Sequence, residues 1–211
     1  MEKIIILGMG GHAESLADVL ERQQKYEIAG YVVNDAVCAK EESRYPVIGS
    51  DNDLERIFHS GIRNAAVGIG YMGKSEVREK LWNTLKEIGF SLPVVCDPSA
   101  VLSSSARIGE GSFIGKGAIV NVNAVIGDMC IINTGAIVEH DCQIGDFSHI
   151  SVGTVLCGEV KVGRSVLVGA NATVIQCTSI GDKSTIGAGT TIRRNVKARS
   201  IVWSGEKVKQ L

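Results

Sequence analysis

From Leu102 onward the chain places an aliphatic residue at every sixth position: Leu102, Ile108, Ile114, Val120, Ile126, Ile132, Val138, Ile144, Ile150, Leu156, Val162, Val168, Val174, Ile180, Ile186 and Ile192. Ile, Leu and Val make up roughly a quarter to a third of a chain of this kind, so unbroken agreement has a chance probability below about one in ten million. The residue two places earlier is never large, as at Ala118, Ala124, Cys130, Ala136, Cys142 and Ser148. Positions two apart share a strand face, so each hexad buries one small and one branched side chain and then turns. Two-residue turn chemistry does not recur at hairpin spacing, so these short strands stack as coils of a parallel β-helix. Glycine directly follows the aliphatic residue at Gly109, Gly115, Gly127, Gly145, Gly163, Gly169, Gly181 and Gly187, which suits a backbone that bends sharply there.

Residues 1–95 follow another pattern. Ile4 to Leu7 predicts a buried strand, GMGGH a glycine turn, and His12 to Gln24 an amphipathic helix with Leu16, Val19 and Leu20 on one side. Ile28 to Val33 and Ala65 to Ile69 predict further strands, and Ser75 to Ile88 a helix. This alternation predicts a small α/β, Rossmann-like half-domain with a parallel sheet, whose ligands sit beyond the carboxyl ends of the strands. Those ends are Gly8 to His12, Asn34 with Asp35, and Gly70 with Tyr71. The loop Gly8-x-Gly10-x-x-Ala13 fits the dinucleotide fingerprint, with Asp35 near the place of a ribose-binding acid. A tight turn that binds nothing has the same look. A phosphate on the helix N-terminus is physically sound, but so short a segment supplies one mononucleotide half, which favours a nucleoside-diphosphate sugar over NAD.

Composition narrows the class. With 22 basic and 23 acidic residues and a formal charge of -1, no polyanion-binding role is indicated and nucleic acid is not an expected partner. The four apolar residues before the first glycine are too short for a signal or a membrane span. A cytoplasmic protein is therefore expected. Six cysteines lie without a CxxC pair and read as free thiols, not as a zinc knuckle. No metal is expected.

Four histidines are present. His59 ends the helix-like stretch IFHSG and reads as solvated or capping. Hexad arithmetic places His140 on a corner, two after Val138, and His149 outward-facing, one before Ile150; neither packs in the coil core. An exposed histidine is often idle, but Glu139 and Asp141 flank His140, and a carboxylate can fix an imidazole tautomer and stabilise its cation. One coil is 18 residues, so Gly158 stacks over His140 and leaves space there, while Ala170 and Ala188 stack on another edge.

The G-x-G-G-H loop, followed by hexads containing EHDCxIGxFSHIS, resembles the sugar-nucleotide N-acetyltransferases of bacillosamine-type pathways and their sialic acid O-acetyltransferase relatives. The resemblance covers nearly the whole chain. It implies a left-handed β-helix over 96–211 and a sugar-nucleotide-binding domain over 1–95. It further implies acetyl-CoA as co-substrate, with direct transfer to the 4-amino group of a UDP-linked 4-amino-4,6-dideoxy sugar. O-acetylation of a sialic acid or related sugar is the alternative. By resemblance His140 is the general base, Asp141 orients it and Asn133 is an active-site amide. His149, Gly158, Ala170 and Ala188 match acetyl-CoA contacts, and Gly10, Gly11, His12, Asn34, Asp35 and Gly70 match the sugar-nucleotide pocket. These acetyl-CoA contacts cannot reach one groove on a single prism, which predicts a symmetric oligomer with the site between subunits; the family forms homotrimers. Arg193, Arg194, Lys197 and Arg199 fit CoA phosphates or a solvated basic cap equally. The tail SIVWSGEKVKQL lacks the proline-containing closing segment of many relatives. Outside this reading stand a zinc lyase, which needs three histidines where the coils offer two, and a non-catalytic nucleotide-sensing subunit.

Overall fold

The computed structural model describes residues 1–34, 43–73 and 76–203, and the backbone of 209–210. Asp35 lies outside the described residues. Contacts divide the chain into two compact units, the first formed by residues 1–70 and 76–96 and the second by the rest. Among the described residues no helix is long and apolar enough to cross a membrane.

The first unit is built on four parallel strands: β1 (Glu2–Leu7), β2 (Tyr26–Val33), β3 (Val47–Ser50) and β4 (Asn64–Val67), ordered β3-β2-β1-β4. Strand β1 is central, and its Ile4, Ile5, Ile6 and Leu7 are buried because a parallel sheet is covered on both faces. Helix α1 (Gly11–Gln23) buries Ala13, Leu16, Ala17, Val19 and Leu20 and ends at Gln24 in the left-handed conformation. Helix α2 (Leu54–His59) follows a short 3₁₀ turn at Asp51–Asp53, and α3 (Val77–Ile88) ends at Gly89. Strand β3 and the α2 region fell in stretches where the sequence pattern marked no complete element. Their few residues are too short to show a period. His59 is exposed on the last turn of α2.

The second unit is a left-handed parallel β-helix of two-residue strands. From Val101 to Ile192 each pairs in parallel with the strand 18 residues away, as in Ile131↔His149, Ile137↔Val155 and Gln143↔Lys161, and the last third-face strand, Ser200–Val202, pairs 16 residues away, as in Ile186↔Val202. Three faces result. The first runs from Val101–Leu102 to Thr191–Ile192, the second from Arg107–Ile108 to Ser179–Ile180, and the third from Phe113–Ile114 to Ser200–Val202, beyond which Lys209–Gln210 pairs antiparallel. The hexad aliphatics from Ile114 to Ile192 fill the interior, with the small positions beside them fully buried at Ala118, Ala124, Ala136 and Ala172. Serine and threonine fit that place because their hydroxyls donate to corner carbonyls: Ser112 to Gly127, Ser148 to Gly163 and Thr154 to Gly169, at 2.7–3.0 Å.

The turn chemistry differs from the sequence expectation. The left-handed residue of each corner lies three places after the aliphatic, at Asn123, Asp141, Glu159 and Cys177 among others, and at Gly111, Gly117, Gly135, Gly153 and Gly189. The glycine directly after the aliphatic is not in that conformation. It is small because the next coil lies against it: a Cβ on Gly145 would sit 2.7 Å from the backbone N of Arg164, and one on Gly169 would sit 2.6 Å from that of Ala188. Along one corner the close neighbour is a stacked aspartate. Asp128, Asp146 and Asp182 accept the backbone N–H of Glu110, Asp128 and Arg164 at 2.8–3.0 Å, tying successive coils.

Candidate active site

His140 sits on the corner that follows the first face. Its Nδ1 lies 2.9 Å from Asp141 Oδ2, and both side chains are about half exposed, at 48% each. A carboxylate only accepts, so Nδ1 carries the proton and Nε2 keeps its lone pair. Asp141 occupies the left-handed turn position, φ 58°, which a short polar residue tolerates. Its other oxygen accepts from Asn123 Nδ2 at 3.1 Å, one coil below. The hydrogen bond to Asp141 raises the His140 pKa above 6.5 against partial desolvation, and the charges of Asp141, Glu139 and Glu159 push the same way. Asp141 is held below the usual carboxylate range by its bonds to His140 and Asn123.

Gly158 stacks above His140, but the space there is not open as the spacing suggested. The imidazole fills it: a Cβ on Gly158 would meet Nε2 and lie 2.5 Å from Cε1. Gly158 therefore admits the ring itself. Cys142, on the buried small position, donates to the Cys157 carbonyl at 3.1 Å, and burial pushes its thiol up to about 11, which removes it as a nucleophile.

Asn133, Ala170 and Ala188 lie on the corner between the third and first faces, across the first face from His140. Ala188 is exposed and Asn133 and Ala170 are half-buried. His149 projects from the third face yet is only 7% exposed, which corrects its expected solvent exposure. Residues 71–73, an excursion from the first half of the chain, lie over it. Its Nδ1 donates to the Tyr71 carbonyl at 2.8 Å, and its Nε2 accepts from Asn133 Nδ2 at 3.2 Å. The amide's orientation follows from the Thr134 N–H, which donates to Asn133 Oδ1 at 2.8 Å. The Tyr71 hydroxyl donates to the Ser165 carbonyl at 2.7 Å. Sequence reasoning missed this strap because its contacts are long-range.

One coil structure thus carries two separate groups of predicted residues, His140, Asp141 and Gly158 on one corner, and Asn133, His149, Ala170 and Ala188 around another. Between them the first face presents an outward aliphatic row, Val101, Ile119, Ile137 and Val155, with Val101 62% exposed. A further concavity of about 860 Å³ on the second face is lined by Lys197, one of the four basic residues after the last hexad, and by none of the other residues singled out from the sequence.

The first unit has a cavity of about 530 Å³ at the carboxyl ends of β1, β2 and β4, the crevice where this strand order changes direction. Gly10, Gly11, His12, Asn34 and Gly70 all line it. Gly10 caps α1 without a side-chain hydrogen bond, and Gly11 and His12 of the first turn, whose amides have no intrahelical acceptor, line the cavity with it. Asp51, which the sequence did not single out, also lines it and accepts from Asn34 Nδ2 at 3.3 Å.

A left-handed β-helix of hexapeptide repeats preceded by a Rossmann-like half-domain is the architecture of a hexapeptide acetyltransferase. Three family models match: the PglD N-terminal domain over residues 3–85, the bacterial transferase hexapeptide (six repeats) over 159–194, and the hexapeptide repeat of succinyl-transferase over 105–140. Perosamine N-acetyltransferase from Caulobacter crescentus, a histidine-to-asparagine variant in complex with CoA and GDP-perosamine, is 33% identical. It covers 99% of this chain and 97% of its own, with a TM-score of 0.91. The acetyltransferase domain of PglB from Neisseria gonorrhoeae, in complex with acetyl coenzyme A, is 31% identical over 100% of this chain and 99% of its own, with a TM-score of 0.85. WeeI from Acinetobacter baumannii shares the fold at 18% identity, over 99% of this chain and 100% of its own, with a TM-score of 0.71. No curated protein matches. The chain belongs to the hexapeptide-repeat sugar N-acetyltransferases of the bacillosamine and perosamine type.

Proposed function

We propose that the protein transfers the acetyl group of acetyl-CoA to the 4-amino group of a UDP-linked 4-amino-4,6-dideoxy sugar, with His140 as general base. The observation that carries this reading is the Nδ1–Asp141 contact of 2.9 Å, which leaves Nε2 basic on an accessible corner. The sugar amine attacks the thioester carbonyl, forming the C–N bond. Collapse of the tetrahedral intermediate breaks the C–S bond. Nε2 takes the proton lost by nitrogen and returns it to the departing CoA thiolate. Asp141 holds the ring and stabilises the imidazolium formed on the way.

The nucleotide lies in the 530 Å³ cavity. Its diphosphate meets the α1 amides at Gly11 and His12 beside Gly10 and Gly70, and Asn34 with Asp51 reaches the ribose. Acetyl-CoA lies along the corner of Ala170 and Ala188, with Asn133 and the tautomer-fixed His149 near its reactive end. That corner and the His140 corner flank one aliphatic face, so burying Val101, Ile119, Ile137 and Val155 against a second copy brings one protomer's base to its neighbour's acetyl-CoA. A closed homotrimer satisfies this heterologous contact. Thiol release measured with acetyl-CoA and UDP- or GDP-linked 4-amino sugars tests the reading. Turnover with the UDP sugar is expected, and thiol release only with hydroxyl acceptors such as sialic acid would overturn N-acetylation.

A further inference from the structure

The last residue of the final third-face coil segment is Trp203. The Ile186↔Val202 pairing sets it directly above Gly187. A Cβ on Gly187 would lie 2.9 Å from Trp203 Cζ3 and 3.1 Å from Cδ2, so one indole face rests on bare backbone. The side chain nevertheless remains exposed, at 49%. This corner is the one that carries Asn133, Ala170 and Ala188. Across the first face, the pairings Val138↔Leu156, Val174↔Leu156 and Val174↔Ile192 stack His140, Gly158, Gln176 and Arg194 in a single column. Arg193 and Arg194 are exposed, and among the described residues neither has an acidic partner.

Coil height converts these columns into a ruler. At about 4.8 Å per coil, Arg194 stands roughly 14 Å above His140, and Trp203 roughly 19 Å above the level of Asn133, which is in His140's own coil. An extended pantetheine arm has about a dozen bonds between sulfur and phosphorus, roughly 15 Å at peptide-like dimensions. A thioester at His140 therefore puts the phosphates level with Arg194 and the adenine one step beyond, level with Trp203. A guanidinium suits phosphate, and an exposed indole face suits a purine.

We propose that Trp203 and Arg194 hold the adenosine end of acetyl-CoA, the indole of one protomer by stacking on adenine and the guanidinium of its neighbour by pairing with phosphate. The assignment rests on the acetyl-CoA reading above. The test compares acetyl-CoA with acetyl-pantetheine, which has the same thioester and arm but no nucleotide. Trp203→Ala and Arg194→Ala should each raise KM for acetyl-CoA roughly tenfold, the size of one base stack or phosphate contact. KM for acetyl-pantetheine and for the nucleotide sugar should not change. Trp203→Phe should retain most of the affinity. In a Trp82→Phe background, which leaves Trp203 as the sole indole of the two in the chain, CoA should quench fluorescence and pantetheine should not. Wild-type turnover with equal donor preference in Trp203→Ala, or no quenching by CoA, would overturn this assignment alone. Failure of the wild type to use either donor would overturn the acetyl-CoA reading and this assignment with it.

Discussion

The base strength of His140 comes from its neighbours, and their effects are separable by pH. The hydrogen bond to Asp141 raises its pKa above 6.5, and a general base works only when unprotonated. Activity therefore falls as pH drops through that raised value. Asp141→Asn should move the acid limb of kcat/KM to lower pH, since the largest cause of the upward shift is gone, and lower kcat roughly 10²-fold through loss of orientation. Asn123→Ala should lower kcat more mildly, because Asp141 retains its charge and loses only the 3.1 Å contact that aims it. Gly158→Ala places a methyl group against the imidazole. The ring can swing toward solvent, so the melting temperature should hold while kcat falls roughly 10²-fold.

At the level of elements, two kinds of glycine recur in the coils, and they should respond differently to substitution. Gly145 faces the backbone of the next coil at 2.7 Å, where neither side can yield, so Gly145→Ala should cost about 1–3 kcal/mol in denaturant unfolding. Gly135 has φ 64° and open space around its Cβ position. Asn171, two coils above in the same column, holds this turn position at φ 55°, so Gly135→Asn should cost well under 1 kcal/mol. The sequence pattern announced the coils because a fixed six-residue step repeats the same aliphatic position sixteen times. It misplaced the reason for the glycines, since crowding between coils leaves no mark on local conformational preference. The strap at Tyr71 and the place of Asp51 in the cavity were illegible for a related reason: each depends on contacts between residues distant in the chain. The contact between His140 and Asp141 on a corner was legible because charge and corner position are both local.

For the molecule as a whole, the proposed reaction divides its chemistry between two corners that flank one aliphatic face. Replacing Ile137 on that face with lysine should dissociate the proposed homotrimer, measured by light scattering, and abolish acetyl transfer while leaving the coil spectrum by circular dichroism unchanged. Retention of activity by a monomer would show that the corners need no neighbour. The measurement that bears most directly on the central claim is the rate of thiol release from acetyl-CoA by His140→Ala, with the nucleotide-linked 4-amino sugar at saturation and the fold verified by melting. A base of this kind contributes roughly 10²–10⁴ to the rate, so kcat should fall by that factor with KM for both substrates little changed. A His140→Ala protein that turns over at the wild-type rate would contradict the account.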